Sequence, residues 1–171
     1  MKSFNFSSES KLVKFDIEVS NPQLWKNYNS FLDNSTMKFF SKVIEKTLKQ
    51  NTLVSILLTD DSNIKILNYR WRKKNQSTNV LSFPVKSFIK EDNYLFIGDI
   101  VLSYETIKKE CLQRKINFKD HFLHLCLHGI LHLIGYDHKD EKEEKEMESM
   151  EIKLLSSVNI QNPYLTKTED L

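Results

Sequence analysis

Glycine, proline and cysteine are all scarce in this 171-residue chain, at three, three and two residues. So little glycine and proline excludes collagen-like repeats and low-complexity linkers, and no internal repeat or linker interrupts the sequence. Cys111 and Cys126 form no C-x-x-C or other metal spacing, so neither a disulfide framework nor a cysteine zinc site is expected. They read as reduced, buried thiols, which suits a cytoplasmic protein. No apolar run approaches the roughly 20 residues that a membrane span needs. The opening MKSFNFSSESK turns polar almost at once, so no signal-peptide pattern is expected.

What is present is a normal globular balance, 40% hydrophobic and 28% charged residues. One domain spanning 1–171 is expected, with an irregular, mobile tail after about residue 159. The net charge of +2 hides a split. Between Ser62 and Lys90 stand seven lysines or arginines and no acidic residue, whereas Asp137 to Glu151 holds eight acidic residues against three lysines. Such a split suggests one face suited to a polyanion and another that repels it, although charge runs also serve simply as solvated surface.

Residues 12–18 alternate like an edge strand, and 35–49 carry helical apolar spacing at Met37, Phe40, Val43, Ile44 and Leu48. LVSILLT at 53–59 reads as a buried strand, and Asp60, Asp61 and Ser62 offer capping groups for a helix ending near Lys74. VLSFPV at 80–85 is a strand in which Pro84 implies an edge or a strand end, and 86–93 reads as an exposed loop. A strand over 95–103, a helix to about Lys115, an apolar helix over 118–133 and a charged helix over 139–156 complete the chain. The order predicts an α+β domain: a single small mixed sheet packed with helices, with a metal site on the buried helix and the turn that follows it. Sheet order cannot be read from the pattern.

All five histidines lie in HFLHLCLHGILHLIGYDH, residues 121–138. At about 100° per residue, His121, His124, His128 and His132 fall within an arc of about 80° on an otherwise apolar helix. Buried polar side chains need partners. His128 and His132 stand one turn apart, the spacing at which two imidazoles reach one metal. Gly135 can end the helix, and His138 can then return as a third ligand. Three neutral imidazoles leave a tetrahedral position open, as in a catalytic rather than a closed structural zinc site. His121 and His124 read as pocket-wall or outer residues that support the ligands. Gly129 stands where an H-E-x-x-H metalloprotease carries its glutamate, which argues against peptide hydrolysis by that route. It also weakens the helix by about 1 kcal/mol relative to alanine, a cost that close approach of another backbone or of substrate is expected to offset. Asp99 is one candidate for the missing carboxylate base, with a helix or turn cap as its equal alternative. Ser82 is a candidate pocket residue on a strand that is otherwise plainly structural.

HGILHLIGYDH, from His128 to His138, resembles the signature of the YbeY family of bacterial single-strand endoribonucleases, which act in ribosomal RNA maturation. The match extends to the preceding H-x2-H, to LNYRWR at 67–72, TNVLSFP at 78–84 and GDIVLS at 98–103, in the family's order. The resemblance implies one Zn2+ per chain on His128, His132 and His138. It also places the family's functional arginine at Arg72. The chain departs from the family pattern at Trp71, where tyrosine is frequent, at Lys73, where glycine is common, and at Ser77, where proline often precedes Thr-Asn.

Arg72 suits phosphate chemistry, because its planar fork can hold two oxygens and stabilise developing charge. Around it lie Arg70, Trp71, Lys73 and Lys74, candidate RNA contacts with an indole on which a base can stack. The structural alternative is a basic helix end that complements the macrodipole, with Trp71 in the core. The reading that unites these features is a cytoplasmic zinc endoribonuclease acting on single-stranded RNA in rRNA maturation and ribosome quality control. Its partners would be precursor rRNA and the small ribosomal subunit or its proteins, with no membrane and no DNA. The rivals are a non-enzymatic zinc-containing assembly factor and a zinc hydrolase of a small phosphoester.

Overall fold

The computed structural model describes residues 2–8, 11–89 and 93–165. Among them five strands form one mixed sheet: β1 (Lys2–Ser8), β2 (Lys11–Val19), β3 (Thr52–Thr59), β4 (Val80–Ile89) and β5 (Tyr94–Ser103). The order is β1-β2-β3-β5-β4. β2, β3 and β5 run parallel, and the outer strands β1 and β4 are antiparallel to their neighbours. The helices are α1 (Tyr28–Phe31), α2 (Asn34–Thr47), α3 (Asp61–Arg72), α4 (Tyr104–Arg114), α5 (Phe118–Leu133) and α6 (Glu141–Ser156). This is the expected α+β arrangement.

Alternation along the strands sorts the molecule into two layers of unequal depth. Val13, Phe15 and Ile17 of β2, Val54, Ile56 and Leu58 of β3, and Ile100 and Leu102 of β5 share one large core with α2, α4, α5 and α6. Leu81 of β4 and Val101 of β5 point to the opposite face, where Ile64 of α3 covers them in a smaller cluster. The apolar helix α5 therefore lies against the sheet on one side, and the basic helix α3 lies on the other. Each of the longer helices α2, α3, α5 and α6 starts at a side-chain cap from Asp33, Asp60, Asn117 or Asp140.

Three local expectations are corrected. The segment at 12–18 is not an edge strand, because β1 pairs along its outer side and β3 along its inner side. Phe4 and Phe6 are the whole apolar signal of β1, too little to announce a strand. The loop expected over 86–93 is strand as far as Ile89, which pairs with Tyr94; residues 90–92 lie outside the described residues. β4 passes its proline by shifting register between Pro84 and Ser87, on the sheet edge where the missing N–H costs least. Finally, Gly129 faces neither a backbone nor a substrate. A Cβ there would lie 2.9–3.1 Å from three side-chain carbons of Ile100, so the glycine lets α5 settle onto β5. Cys111 and Cys126 are free and buried, as expected. No helix among the described residues is long and apolar enough to cross a membrane.

Candidate metal centre

The site is built on the last two turns of α5. That helix ends in a Schellman turn: Gly135 N–H donates to the His132 carbonyl at 3.1 Å and Tyr136 N–H to the Leu131 carbonyl at 3.0 Å. Gly135 takes φ +108°, a conformation that L side chains rarely adopt, so the sharp reversal depends on it. The reversal returns the chain so that the His138 ring centroid lies 4.9 Å from that of His132 and 5.7 Å from that of His128. One ring nitrogen from each of the three lies within 4.8 Å of the others, a cluster able to hold a metal ion. His128 and His132 are half-buried and His138 is exposed, which leaves the cluster open on one side.

The hydrogen bonds behind the rings decide which nitrogens face inward. Nδ1 of His132 lies 3.0 Å from the Tyr136 carbonyl oxygen, which can only accept, so Nδ1 carries the proton and Nε2 a lone pair. Nδ1 of His128 lies 2.8 Å from Oε1 of Glu151, with the same consequence. The two Nε2 atoms then face each other at 3.1 Å. Two tetrahedral ligands about 2.0–2.1 Å from zinc are separated by roughly 3.3 Å, so this spacing fits a shared cation. Without one, two lone pairs would repel. Burial, with His128 and His138 beside it, pushes the His132 imidazolium down to about 4, so the ring is neutral and ready to ligate near pH 7.

Glu151 is the residue that sequence reasoning missed, because it lies within an acidic run that otherwise reads as solvated. It is wholly buried. Burial alone would raise its carboxyl, but His124 and His128 outweigh that and hold it down to about 2. The Tyr164 hydroxyl donates to its other oxygen. His124 Nε2 stands 3.4 Å from Oε1, an ion-pair distance with poor hydrogen-bond alignment. A signal was present in the sequence: Met147, Glu151 and Leu155 are four apart and form the buried set of α6.

The remaining predicted residues separate into two groups. His121 lies one turn further up α5, where its Nε2 is 2.7 Å from Glu110 of α4. Asn79 donates to the same carboxylate at 3.0 Å, so His121 ties α5 and α4 to the start of β4 rather than reaching the metal cluster. Ser82 alternates onto the α5 face of β4, opposite Ile100. Asp99 alternates onto the α3 face, away from α5, and sits within the β5 ladder rather than at a turn. Arg70, Trp71, Arg72, Lys73 and Lys74 all lie exposed at the end of α3. Trp71 is 64% exposed, with its ring 6.1 Å from that of Phe83, so it is not a core residue. No hydrogen bond or ion pair among the described residues links Arg72 to the histidines. Lys73 caps α3 at φ +60°, the left-handed conformation that explains why glycine suits this position.

The family model "Endoribonuclease YbeY" matches residues 21–159, which takes in α3, the strand pair β4–β5 and the whole histidine stripe. The chain belongs to the YbeY family. Endoribonuclease YbeY of Buchnera aphidicola is 42% identical over 76% of this chain and 85% of its own length. Its counterpart in Agrobacterium fabrum is 39% identical over 93% of this chain and 88% of its own. That of Bartonella quintana is 36% identical over 90% and 98%. The solution structure of TM1509 from Thermotoga maritima shares the fold, with a TM-score of 0.55 and 24% identity over 84% of this chain and 89% of that one. The matched residues include all three histidines of H-x3-H-x5-H, whose ring nitrogens lie within 4.8 Å of one another.

Proposed function

We propose that this chain is a zinc-dependent endoribonuclease that cleaves single-stranded RNA in rRNA maturation and ribosome quality control in the cytoplasm. The observation that carries the metal part is the pair of inward Nε2 atoms, fixed by acceptors behind each ring and joined by an exposed third imidazole. Membership of a family described as endoribonucleases, with relatives bearing that name, supports the reaction. Among the described residues the cluster contains three protein ligands, and the His124 Nε2 is turned towards Glu151 instead. That supports an open, catalytic site over the closed site that a purely structural zinc would need.

In this reading His128, His132 and His138 hold one Zn2+, which when bound supplies Lewis-acid polarisation of the phosphodiester and activation of its nucleophile. Glu151 and the Tyr136 carbonyl keep two of the rings in the ligating tautomer. Helix α3 packs on the sheet face opposite α5, and β4 is the edge strand between them, so in this reading RNA reaches both poles around that edge. Arg72 holds a phosphate of that strand, Arg70, Lys73 and Lys74 add electrostatic attraction, and Trp71 offers its exposed face to a base. His124, His121 and Ser82 line or support the α5 side. Asp99, turned towards the α3 face, is not assigned the role of base in this reading. The substrate is precursor rRNA, presented on the small ribosomal subunit.

The test compares wild type with His132→Ala and Arg72→Ala in metal content and in cleavage of a single-stranded RNA. Wild type is expected to carry one zinc and to cut. His132→Ala should lose both, whereas Arg72→Ala should keep its zinc and lose cleavage. Zinc binding without RNA cleavage at any salt, with or without ribosomal particles, would sink the nuclease reading in favour of an assembly factor.

A further inference from the structure

Beyond α6 the chain does not simply trail away. Asn159 takes the left-handed conformation at φ +62° and turns the chain back, and Ile160 N–H donates to the Leu155 carbonyl at 3.0 Å. Ile160 is buried in the main core. Arg114, the last residue of α4, then donates to the Pro163 carbonyl at 2.5 Å. Asn162 accepts the Tyr164 N–H on its side chain at 2.9 Å, a turn after which the Tyr164 ring stays 40% exposed while its hydroxyl reaches a buried partner. The Tyr164 ring meets His124 edge-on, with centroids 5.7 Å apart. Its hydroxyl reaches Oε2 of Glu151, while Oε1 of the same carboxylate accepts from His128 Nδ1. The segment that makes these contacts, residues 160–165, lies past residue 159, where the family match stops.

We propose that residues 160–165 form a strap behind the metal centre, across His124 and Glu151, and that Tyr164 is a positioning residue acting through Glu151 on His128. This rests on the zinc reading given above. A buried carboxylate with one donor could rotate about its terminal bond, but one with a donor on each oxygen is fixed in plane. Fixing that plane fixes the direction of the His128 ring, and with it the direction of Nε2 towards the ion. Partners behind a metal ligand commonly change metal affinity by about 10–100-fold. Tyr164 acts one bond further out, so the lower end, roughly tenfold, is expected. The strap has two anchors independent of the tyrosine, Ile160 in the core and Arg114 on Pro163. Removal of the hydroxyl alone should therefore leave the segment seated.

The experiment uses the full chain as wild type, Tyr164→Phe and Arg114→Ala. Zinc affinity is read by chelator competition, the ligand field by the absorption of the cobalt(II)-loaded protein, and the His128 Nδ1–H by its solvent exchange in metal-free protein. Tyr164→Phe is expected to bind zinc about tenfold more weakly, to alter the cobalt spectrum and to speed exchange of that proton, with the metal-free melting temperature almost unchanged. Arg114→Ala should move the same readouts in the same direction by a smaller factor. Wild-type affinity and spectrum in Tyr164→Phe overturn the proposal, as does a lowered melting temperature without any change in the metal readouts. If wild type itself binds no zinc, the metal reading falls, and the proton exchange alone then decides whether Tyr164 positions Glu151.

Discussion

Glu151→Gln is the most informative single substitution, because it changes charge and almost nothing else. The side chain is fully buried and accepts from His128 Nδ1 at 2.8 Å and from the Tyr164 hydroxyl. Glutamine keeps the shape and one acceptor oxygen. That oxygen will stay on His128, because the imidazole N–H can only donate, while a phenol can also accept from the new amide. The His128 bond survives but changes from charge-assisted to neutral, a loss of about 1 kcal/mol in the metal-free protein. The larger effect is on the ligand, since a ring backed by a carboxylate is more basic than one backed by an amide. Zinc binding should weaken about 10–100-fold, or roughly 1.4–2.7 kcal/mol. Glu151→Ala should instead strand both donors and leave a cavity, lowering metal-free stability by about 2–4 kcal/mol as well. Chelator competition and urea unfolding of the metal-free protein separate the two effects. If Glu151→Gln binds zinc within about twofold of wild type, the carboxylate is merely filling space, and the reasoning about His128 fails.

Two further outcomes follow from the same geometry. Gly129→Ala gains about 1 kcal/mol of helix propensity but drives a Cβ to 2.9 Å from the fully buried Ile100, an overpacking cost of about 1–3 kcal/mol. Net destabilisation of up to about 2 kcal/mol is expected, eased only in part by Ile100→Val, which removes the Cδ1 contact at 3.1 Å but keeps both γ carbons, and a stabilised single variant in urea unfolding would contradict the packing described. The metal-free protein should also weaken in mild acid. His132 takes up a proton less readily when folded, so the unfolded chain binds more protons and stability is lost as pH falls from the ordinary 6.5 towards 4. The Glu151 carboxyl adds to the loss below its ordinary 4.5. A denaturation midpoint that stays flat from pH 7 to pH 4.5 would count against a depressed His132.

The histidine cluster that could hold a metal ion was legible in the sequence because it is local. His128, His132, Gly135 and His138 lie within eleven consecutive residues, so helix periodicity and one glycine turn suffice to bring the rings together. The elements with strong periodicity or clear caps were legible for the same reason, α5 above all. Tertiary structure alone decided what stands behind the ligands. Glu151 follows His128 by 23 positions, and although its four-residue spacing from Met147 and Leu155 marks a buried face, that the face meets His128 depends on how α6 packs on α5. It also decided that β1 covers β2, that Ile100 rather than substrate sits under Gly129, and that the basic end of α3 lies across the sheet from the histidines. Each of these depends on pairing between distant segments. The spacing of residues along a helix is fixed by its own geometry, whereas the neighbour across a core is fixed only when the whole chain has packed.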